Sequence, residues 1–328
     1  MTIPLVAIID CFEPSIVETI QSTMPTNWKS IAIKESTVSA RKNALSNATI
    51  ALLMGAPMNE ELFKSAPKLK FVQKMGAGID NIDIKYCASN GIGVARLSAG
   101  NDIPVAEHTV MMILAATRRL IHLDKRTRDG AWDKETARGI NKQVHGKTVG
   151  IIGLGAIGRR VAKILKAFDA DIIYCDPIPA PDSLEKELNL KRVNLDQLLV
   201  KSDIISLHLP QNEETRLIIE ESKIAMMKPG AILINCARGG LVNEKALTIA
   251  LKNGHLFGAG LDTFSTEPPI NNSLLLLDNI VLSPHCAGAT LDNFQSIANR
   301  TISNCTAFIT NKPLPKFDVV HDPRKVIF

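Results

Sequence analysis

Gly153-Leu154-Gly155-Ala156-Ile157-Gly158 places glycines at its first, third and sixth positions. The segment follows the apolar run Thr148–Ile152 and opens a helical stretch, Ile157–Phe168. In that context the spacing suits a phosphate cradle. The first glycine permits a tight turn, the second lets the backbone approach a pyrophosphate, and the third allows close packing of helix on strand. The helix N-terminus attracts the phosphate charge. Eighteen residues beyond Gly158, Asp176 closes the strand Asp171–Asp176. A carboxylate there accepts hydrogen bonds from both ribose hydroxyls and repels a 2′-phosphate, so the expected ligand is NAD rather than NADP.

The elements that must position this loop are short apolar strands alternating with helical stretches, the pattern of parallel sheets covered on both faces. In the first hundred residues strands are expected at Leu5–Asp10, Ser30–Lys34, Ile50–Met54, Lys70–Met75 and Gly93–Leu97. Helices such as Pro14–Met24 and Thr37–Asn47 lie between them, a spacing that suits a small flavodoxin-like layer. Asp102 can cap a helix with Pro104 in its first turn, and Val105 to Leu123 continues without a breaker. After a Gly130–Gly139 loop, a second series of six strands is expected: Thr148–Ile152, Asp171–Asp176, Ile204–Leu209, Ala231–Asn235, Gly258–Asp262 and Ile280–Ser283. Leu291–Ile309 reads as one helix before an irregular, proline-containing end. The fold class is α/β, with two doubly wound parallel-sheet domains of unequal size. The length of 328 residues agrees with two domains.

Composition narrows the function classes. Hydrophobic residues make up 45% and charged residues 22%, which speaks against long disordered stretches. The net charge of +5 is spread along the chain without basic runs, so no nucleic-acid partner is expected. The surplus suits a small anionic ligand. Six cysteines lie far apart, without a C-x-x-C pair or zinc-ligand spacing, which reads as reduced thiols in a cytoplasmic protein and as no metal site. Met1 to Asp10 lacks a basic n-region, and no apolar stretch approaches the ~18 residues of a membrane span, so no membrane partner is expected.

Three further segments follow the glycine loop in order: Asn235-Cys236-Ala237-Arg238-Gly239-Gly240, Asp262-Thr263-Phe264-Ser265-Thr266-Glu267-Pro268 and Ser283-Pro284-His285-Cys286-Ala287-Gly288. Together the four segments resemble those of the D-isomer-specific 2-hydroxyacid dehydrogenases, from about Leu45 to Asn299. That family includes phosphoglycerate dehydrogenase and the glyoxylate/hydroxypyruvate reductases. The resemblance implies hydride transfer between NAD and C2 of a small 2-hydroxy or 2-oxo acid by an Arg–Glu–His set. Arg238 would clamp the substrate carboxylate and polarise the carbonyl. His285 would take or return the hydroxyl proton. Glu267 would fix the imidazole tautomer and stabilise the imidazolium.

The resemblance also places substrate at Gly76, Ala77 and Gly78, where small residues expose backbone N–H groups, and again at Arg238 and His285. On the cofactor side it implies Ala156 and Ile157 at the pyrophosphate, and His208, Pro210 and Thr215 along the adenosine. Cys236, Arg238 and Asp262 would lie around the nicotinamide, and Ala237, His285 and Gly288 would also bind the cofactor. Glu107-His108 reads as a packing and hinge element. The implied organisation is a flavodoxin-like substrate domain, 1–101 plus 289–328, with an inserted Rossmann NAD domain, 102–288. Its active site would lie in the cleft, closed by a hinge, and the helix after Asp102 would support a homodimer.

Two departures bear on the substrate. Arg96 stands where the family usually carries a small polar residue, and could serve a second anionic group or simply pair with a carboxylate. Met54-Gly55-Ala56-Pro57-Met58 lacks the arginine that phosphoglycerate dehydrogenases tend to carry, which disfavours a phosphorylated substrate, although Lys134 could partly compensate. A C-terminal regulatory domain, and serine feedback with it, is not expected. The expected activity is therefore of the glyoxylate/hydroxypyruvate type. A D-3-phosphoglycerate dehydrogenase without regulatory domain stands as one alternative, and an NAD-sensing binding protein like the C-terminal-binding corepressors as another.

Overall fold

The computed structural model describes residues 3–324; Met1, Thr2 and residues 325–328, at the outer ends of the expected substrate domain, lie outside the described residues. Contacts divide the chain into two compact units, with the crossings at Asn101/Asp102 and Ala289/Thr290. Ala289 therefore goes with the continuous middle unit, not with the discontinuous outer one.

In the outer unit, β1 (Leu5–Ile8), β2 (Lys29–Ala32), β3 (Ile50–Leu53), β4 (Phe71–Lys74) and β5 (Gly93–Ala95) run parallel in the order β2-β1-β3-β4-β5. This is the flavodoxin-like order, and every residue of β3, β4 and β5 is buried. Strand side chains alternate between faces. Val6, Ile8, Ile50, Leu52 and Phe71 accordingly enter one core, while Ala7, Ala51, Leu53 and Val72 enter the other. Fully burying one such large side chain contributes about 1.5–3 kcal/mol.

The middle unit holds seven parallel strands, not six: β6 (Thr148–Ile152), β7 (Asp171–Cys175), β8 (Lys191–Arg192), β9 (Ile204–Leu207), β10 (Ala231–Asn235), β11 (Leu256–Leu261) and β12 (Ile280–Leu282). Their order, β8-β7-β6-β9-β10-β11-β12, reverses direction between β6 and β9. Doubly wound sheets collect ligands at such a switch point. The unexpected strand β8 is an exposed Lys-Arg pair at the sheet edge, with no apolar run to announce it.

Other departures are confined to short segments. The long helix stops at Asp102–Thr117, and a second helix, Leu120–Arg128, follows Arg119, whose φ of 49° is left-handed. The Arg119 guanidinium sits 4.5 Å over the Phe257 ring, a tertiary contact with no glycine or proline to mark it. Inside the Gly130–Gly139 stretch, Lys134–Ile140 forms a short helix rather than loop. The final helix, Leu291–Ile309, returns to the outer unit, and the end beyond it is not wholly irregular. Its segment Val319–His321 forms β13, which pairs antiparallel with β5.

Candidate active site

The strand β6 delivers the chain to the glycine loop. Gly153 has φ of +91°, and a side chain there would lie 2.5 Å from the His208 carbonyl oxygen, so only glycine makes this turn. The helix Ala156–Lys166 begins at Gly155 with no side-chain cap and no acid in its first turn. Its leading N–H groups and positive dipole end are thus left for an anion. Around Gly155 an added Cβ would meet nothing within 4 Å, while Gly158 packs on the Gly153 carbonyl. Ala156 and Ile157 form the first turn of that helix.

Asp176 follows β7. Its Oδ2 accepts from the Leu154 N–H at 2.7 Å and its Oδ1 from the Ile178 N–H at 2.8 Å, which fixes the carboxylate beside the loop. Each oxygen retains a lone pair for a ribose hydroxyl. Open amide donors beside an oriented carboxylate fit NAD, which would be held by Gly153–Gly158 and Asp176. The Arg192 guanidinium donates to the Asp176 main-chain carbonyl at 2.9 Å, so a cation stands next to the acid. Asp176→Ala should therefore narrow the preference for NAD(H) by removing the like charge and leaving Arg192 for a 2′-phosphate. Ratios of kcat/KM for NADH and NADPH measure this, and an unchanged ratio would remove Asp176 from the ribose position.

Across the switch point, β9 leads into His208, Pro210 and Thr215. Burial pushes the His208 imidazole down to about 3, and its Nε2 lies 2.9 Å from Ser206 Oγ. It is therefore neutral in the working pH range. Thr215 Oγ1 donates to the Pro210 carbonyl at 2.7 Å and accepts from the Asn212 N–H at 2.8 Å, which shapes this loop.

Arg238, Glu267 and His285 all belong to the middle unit. Buried Asn235, ending β10, accepts from the Ala237 N–H at 3.0 Å and donates to the Arg238 carbonyl at 2.8 Å, which sets the turn carrying the arginine. A side chain on Gly239 would lie 1.8 Å from the carbonyl carbon of Phe264. Only glycine lets the Arg238 turn lie against the segment leading to Glu267. Nearby Cys236 is buried, which pushes its thiol up to about 12 and keeps it protonated.

Glu267 Oε1 accepts from the Phe264 N–H at 3.0 Å, and its Oε2 lies 2.8 Å from His285 Nδ1. Burial opposes ionisation of Glu267. The hydrogen bonds from His285 and the Phe264 N–H, with the charges of His285 and Arg238, outweigh that cost and hold the carboxyl below its usual range. With Nδ1 engaged, Nε2 is the ring nitrogen left for another partner.

His285 itself has φ of +53°, a region uncommon for a non-glycine residue. Asp262 holds it there. The Asp262 carbonyl accepts from the His285 N–H at 2.7 Å. Its fully buried carboxylate accepts from the Cys286 and Ala287 N–H groups, each at 2.9 Å, and from Ser283 Oγ at 2.5 Å. Ser283 Oγ also lies 2.9 Å from His108 Nε2. The sequence reading set Asp262 beside the nicotinamide and His108 in a packing role. The structure adds that both support the turn bearing His285, Asp262 from the end of β11 and His108 from a helix far away in sequence. Gly288 follows this turn, close after Ala287.

In the outer unit, Gly76, Ala77 and Gly78 follow β4. The Gly76 carbonyl accepts from the Leu97 N–H at 3.1 Å and the Ala77 carbonyl from Arg96 Nη1 at 3.2 Å. Among the described residues, the Ala77 and Gly78 N–H groups meet no acceptor. The loop after β3 differs: the Asp10 carboxylate accepts from the Met54, Gly55 and Ala56 N–H groups at 2.6, 2.8 and 2.8 Å. An acid just after β1 thus already fills that nest, which the sequence reading missed. Elsewhere, a cleft of about 530 Å³ opens where β9 and β10 begin. It is lined by none of the residues expected from the sequence to act on cofactor or substrate.

Residues 110–287 match the family model described as D-isomer specific 2-hydroxyacid dehydrogenase, NAD binding domain. The chain is 38% identical over 284 residues to a glyoxylate reductase of Korarchaeum cryptofilum, covering 86% of this chain and 85% of that one. It is 35% identical over 292 residues to a D-3-phosphoglycerate dehydrogenase of Mycobacterium bovis, covering 89% of this chain but 54% of the relative. This chain thus spans about half the length of that relative. Among solved structures, the D-lactate dehydrogenase of Aquifex aeolicus, complexed with NAD and lactic acid, superposes with a TM-score of 0.86 at 30% identity, over 96% of this chain and 98% of that one. With its motifs, its sheet order and these matches, the chain belongs to the D-isomer specific 2-hydroxyacid dehydrogenase family.

Proposed function

We propose that this protein is an NAD-dependent 2-oxoacid reductase and D-2-hydroxyacid dehydrogenase acting on a small unphosphorylated acid of the glyoxylate or hydroxypyruvate type. The observation that carries the reading is the imidazole of His285 hydrogen-bonded at 2.8 Å to Glu267, whose charge is stabilised by Arg238. Bound NADH supplies the hydride for reduction, and NAD accepts it for oxidation. Arg238 orients the substrate through its carboxylate and polarises the carbonyl. In the outer unit, the Ala77 and Gly78 N–H groups are donors for a substrate carboxylate. His285 delivers a proton to the carbonyl oxygen during reduction and removes it during oxidation, while Glu267 stabilises the imidazolium. The Asp10 carboxylate at the β3 loop supports an unphosphorylated substrate, because a phosphate would meet like charge there.

Steady-state oxidation of NADH with glyoxylate, hydroxypyruvate and 3-phosphohydroxypyruvate tests this. The expected result is a kcat/KM for one of the first two at least about tenfold above the third. A preference for 3-phosphohydroxypyruvate would favour the phosphoglycerate dehydrogenase reading, and no turnover with any of them would favour a binding protein.

The same reading includes a homodimer formed through the middle unit, where Ile103, Met111, Leu120, Ile121 and Trp132 are exposed apolar side chains that a two-fold contact would cover. A cytoplasmic location agrees with six free thiols.

A further inference from the structure

Arg96 extends from the end of β5 toward the loop after β4, and its Nη1 donates to the Ala77 carbonyl. The neighbouring residue, Leu97, donates its backbone N–H to the Gly76 carbonyl. Two successive carbonyls of the loop are therefore drawn toward the Arg96–Leu97 segment. Peptide units are planar and trans, so the carbonyl of one residue and the N–H of the next point in opposite directions. Fixing the Gly76 carbonyl aims the Ala77 N–H away from β5, and fixing the Ala77 carbonyl aims the Gly78 N–H likewise. These are the two donors that meet no acceptor among the described residues.

From this we infer that Arg96 is a positioning residue, which holds the Ala77–Gly78 peptide so that the Gly78 N–H joins the Ala77 N–H, set by Leu97, in facing a substrate carboxylate. Placing a cation on the carbonyl also polarises the amide and strengthens the Gly78 N–H as a donor. The inference deepens the function proposed above and rests on it. A second observation supports it. Arg96 Nε is buried without a hydrogen-bond partner, an arrangement that is costly and uncommon in folded proteins. The side chain is thus kept in this pose against a local penalty. Its backbone is also anchored, because the Arg96 N–H donates at 2.8 Å to the carbonyl of Asp318, just before β13. The Asp318 carboxylate is buried and accepts from the Ser98 N–H at 2.9 Å, Ser98 Oγ at 2.6 Å and Asn304 Nδ2 at 3.2 Å. Arg96 therefore reaches the loop from a braced strand end.

The alternative of direct service to a second anionic group on the substrate predicts something different. A positioning arginine affects every 2-oxo acid through the shared carboxylate. A direct ion pair would affect only substrates with a second charge.

The test compares wild type with Arg96→Ala, Arg96→Gln and Arg96→Lys on glyoxylate and on 2-oxoglutarate, alongside thermal melting of each variant. In Arg96→Ala and Arg96→Gln, KM for both acids should rise about tenfold while kcat stays within about twofold and KM for NADH is unmoved. Lysine, which can still donate to the Ala77 carbonyl, should recover most of the loss. Unchanged KM for glyoxylate in a folded Arg96→Ala variant would overturn the inference, as would a loss confined to 2-oxoglutarate. If kcat and KM worsen together in Arg96→Ala with a lowered melting temperature, Arg96→Lys decides: failure to recover KM overturns the positioning role. Turnover by wild type separates the two levels, since an inactive wild type removes the proposed function itself, whereas an active one with an indifferent Arg96 removes only this residue.

Discussion

Replacing His285 by alanine is expected to lower kcat by about 10²–10⁴-fold, the usual contribution of general acid–base catalysis, while NADH binding stays largely intact. Glu267→Gln probes the same unit more finely. Glu267 stays ionised wherever an imidazole titrates, because its carboxyl is held below the ordinary carboxylate range and a histidine usually titrates near ~6.5. The amide removes that charge, and with it an attraction that favours the protonated imidazole. In the proposed mechanism oxidation requires neutral His285 and reduction requires its cation. Both the acidic limb of oxidation and the basic limb of reduction should therefore move toward lower pH. Because the two residues act together across one 2.8 Å hydrogen bond, the double variant should be barely worse than His285→Ala alone. pH–rate profiles of the three variants measure this. A stationary profile in Glu267→Gln, or full additivity in the double, would show that the wrong pair has been joined.

Arg238→Ala should be the second large loss. Removing one preorganised electrostatic stabiliser typically costs about 10²–10³-fold in kcat, and the substrate carboxylate would lose its clamp as well, so KM should also rise. Arg238→Lys keeps the charge without the planar fork and should fall between wild type and alanine. The turn itself should survive, since Asn235 and the approach of Gly239 to Phe264 hold it even without the guanidinium's 2.7 Å bond to the Ala237 carbonyl. Steady-state kinetics with circular dichroism as a check on folding measure this. Near-normal kcat/KM in a folded Arg238→Ala would take the residue out of the chemistry.

Much of this was legible from the chain before folding. Buried parallel strands are continuous apolar runs, so eleven of the thirteen strands were located, although several were drawn one or two residues too long where polar ends such as Asp10 and Asp176 leave the sheet. The two missed strands, Lys191–Arg192 and Val319–His321, lie at sheet edges and lack such a run. The break at Arg119 coincides with a contact to Phe257, distant in sequence, which local propensity cannot show. Motif residues were visible by type and spacing. Their supports were less so: the contact of His108 with Ser283, the nest filled by Asp10 and the grip of Arg96 on Ala77 each join segments that neighbour one another only after folding.

The return of the helix Leu291–Ile309 to the outer unit has a consequence for synthesis. Phe294, Ile297, Ala298, Ile302, Cys305 and Phe308 fill the core beneath β1, β3 and β4, where Phe308 stacks on Phe71 at 4.2 Å. On the ribosome the first hundred residues emerge earliest, yet one face of their sheet is covered only in part, by the helix Pro14–Ser22, until the last helix leaves the exit tunnel. The middle unit is continuous in sequence and has its whole core available sooner. Vectorial translation thus completes the second sheet before the first, and leaves part of this core, Phe71 included, as a temporary apolar surface on the nascent chain, of the kind that chaperones shield.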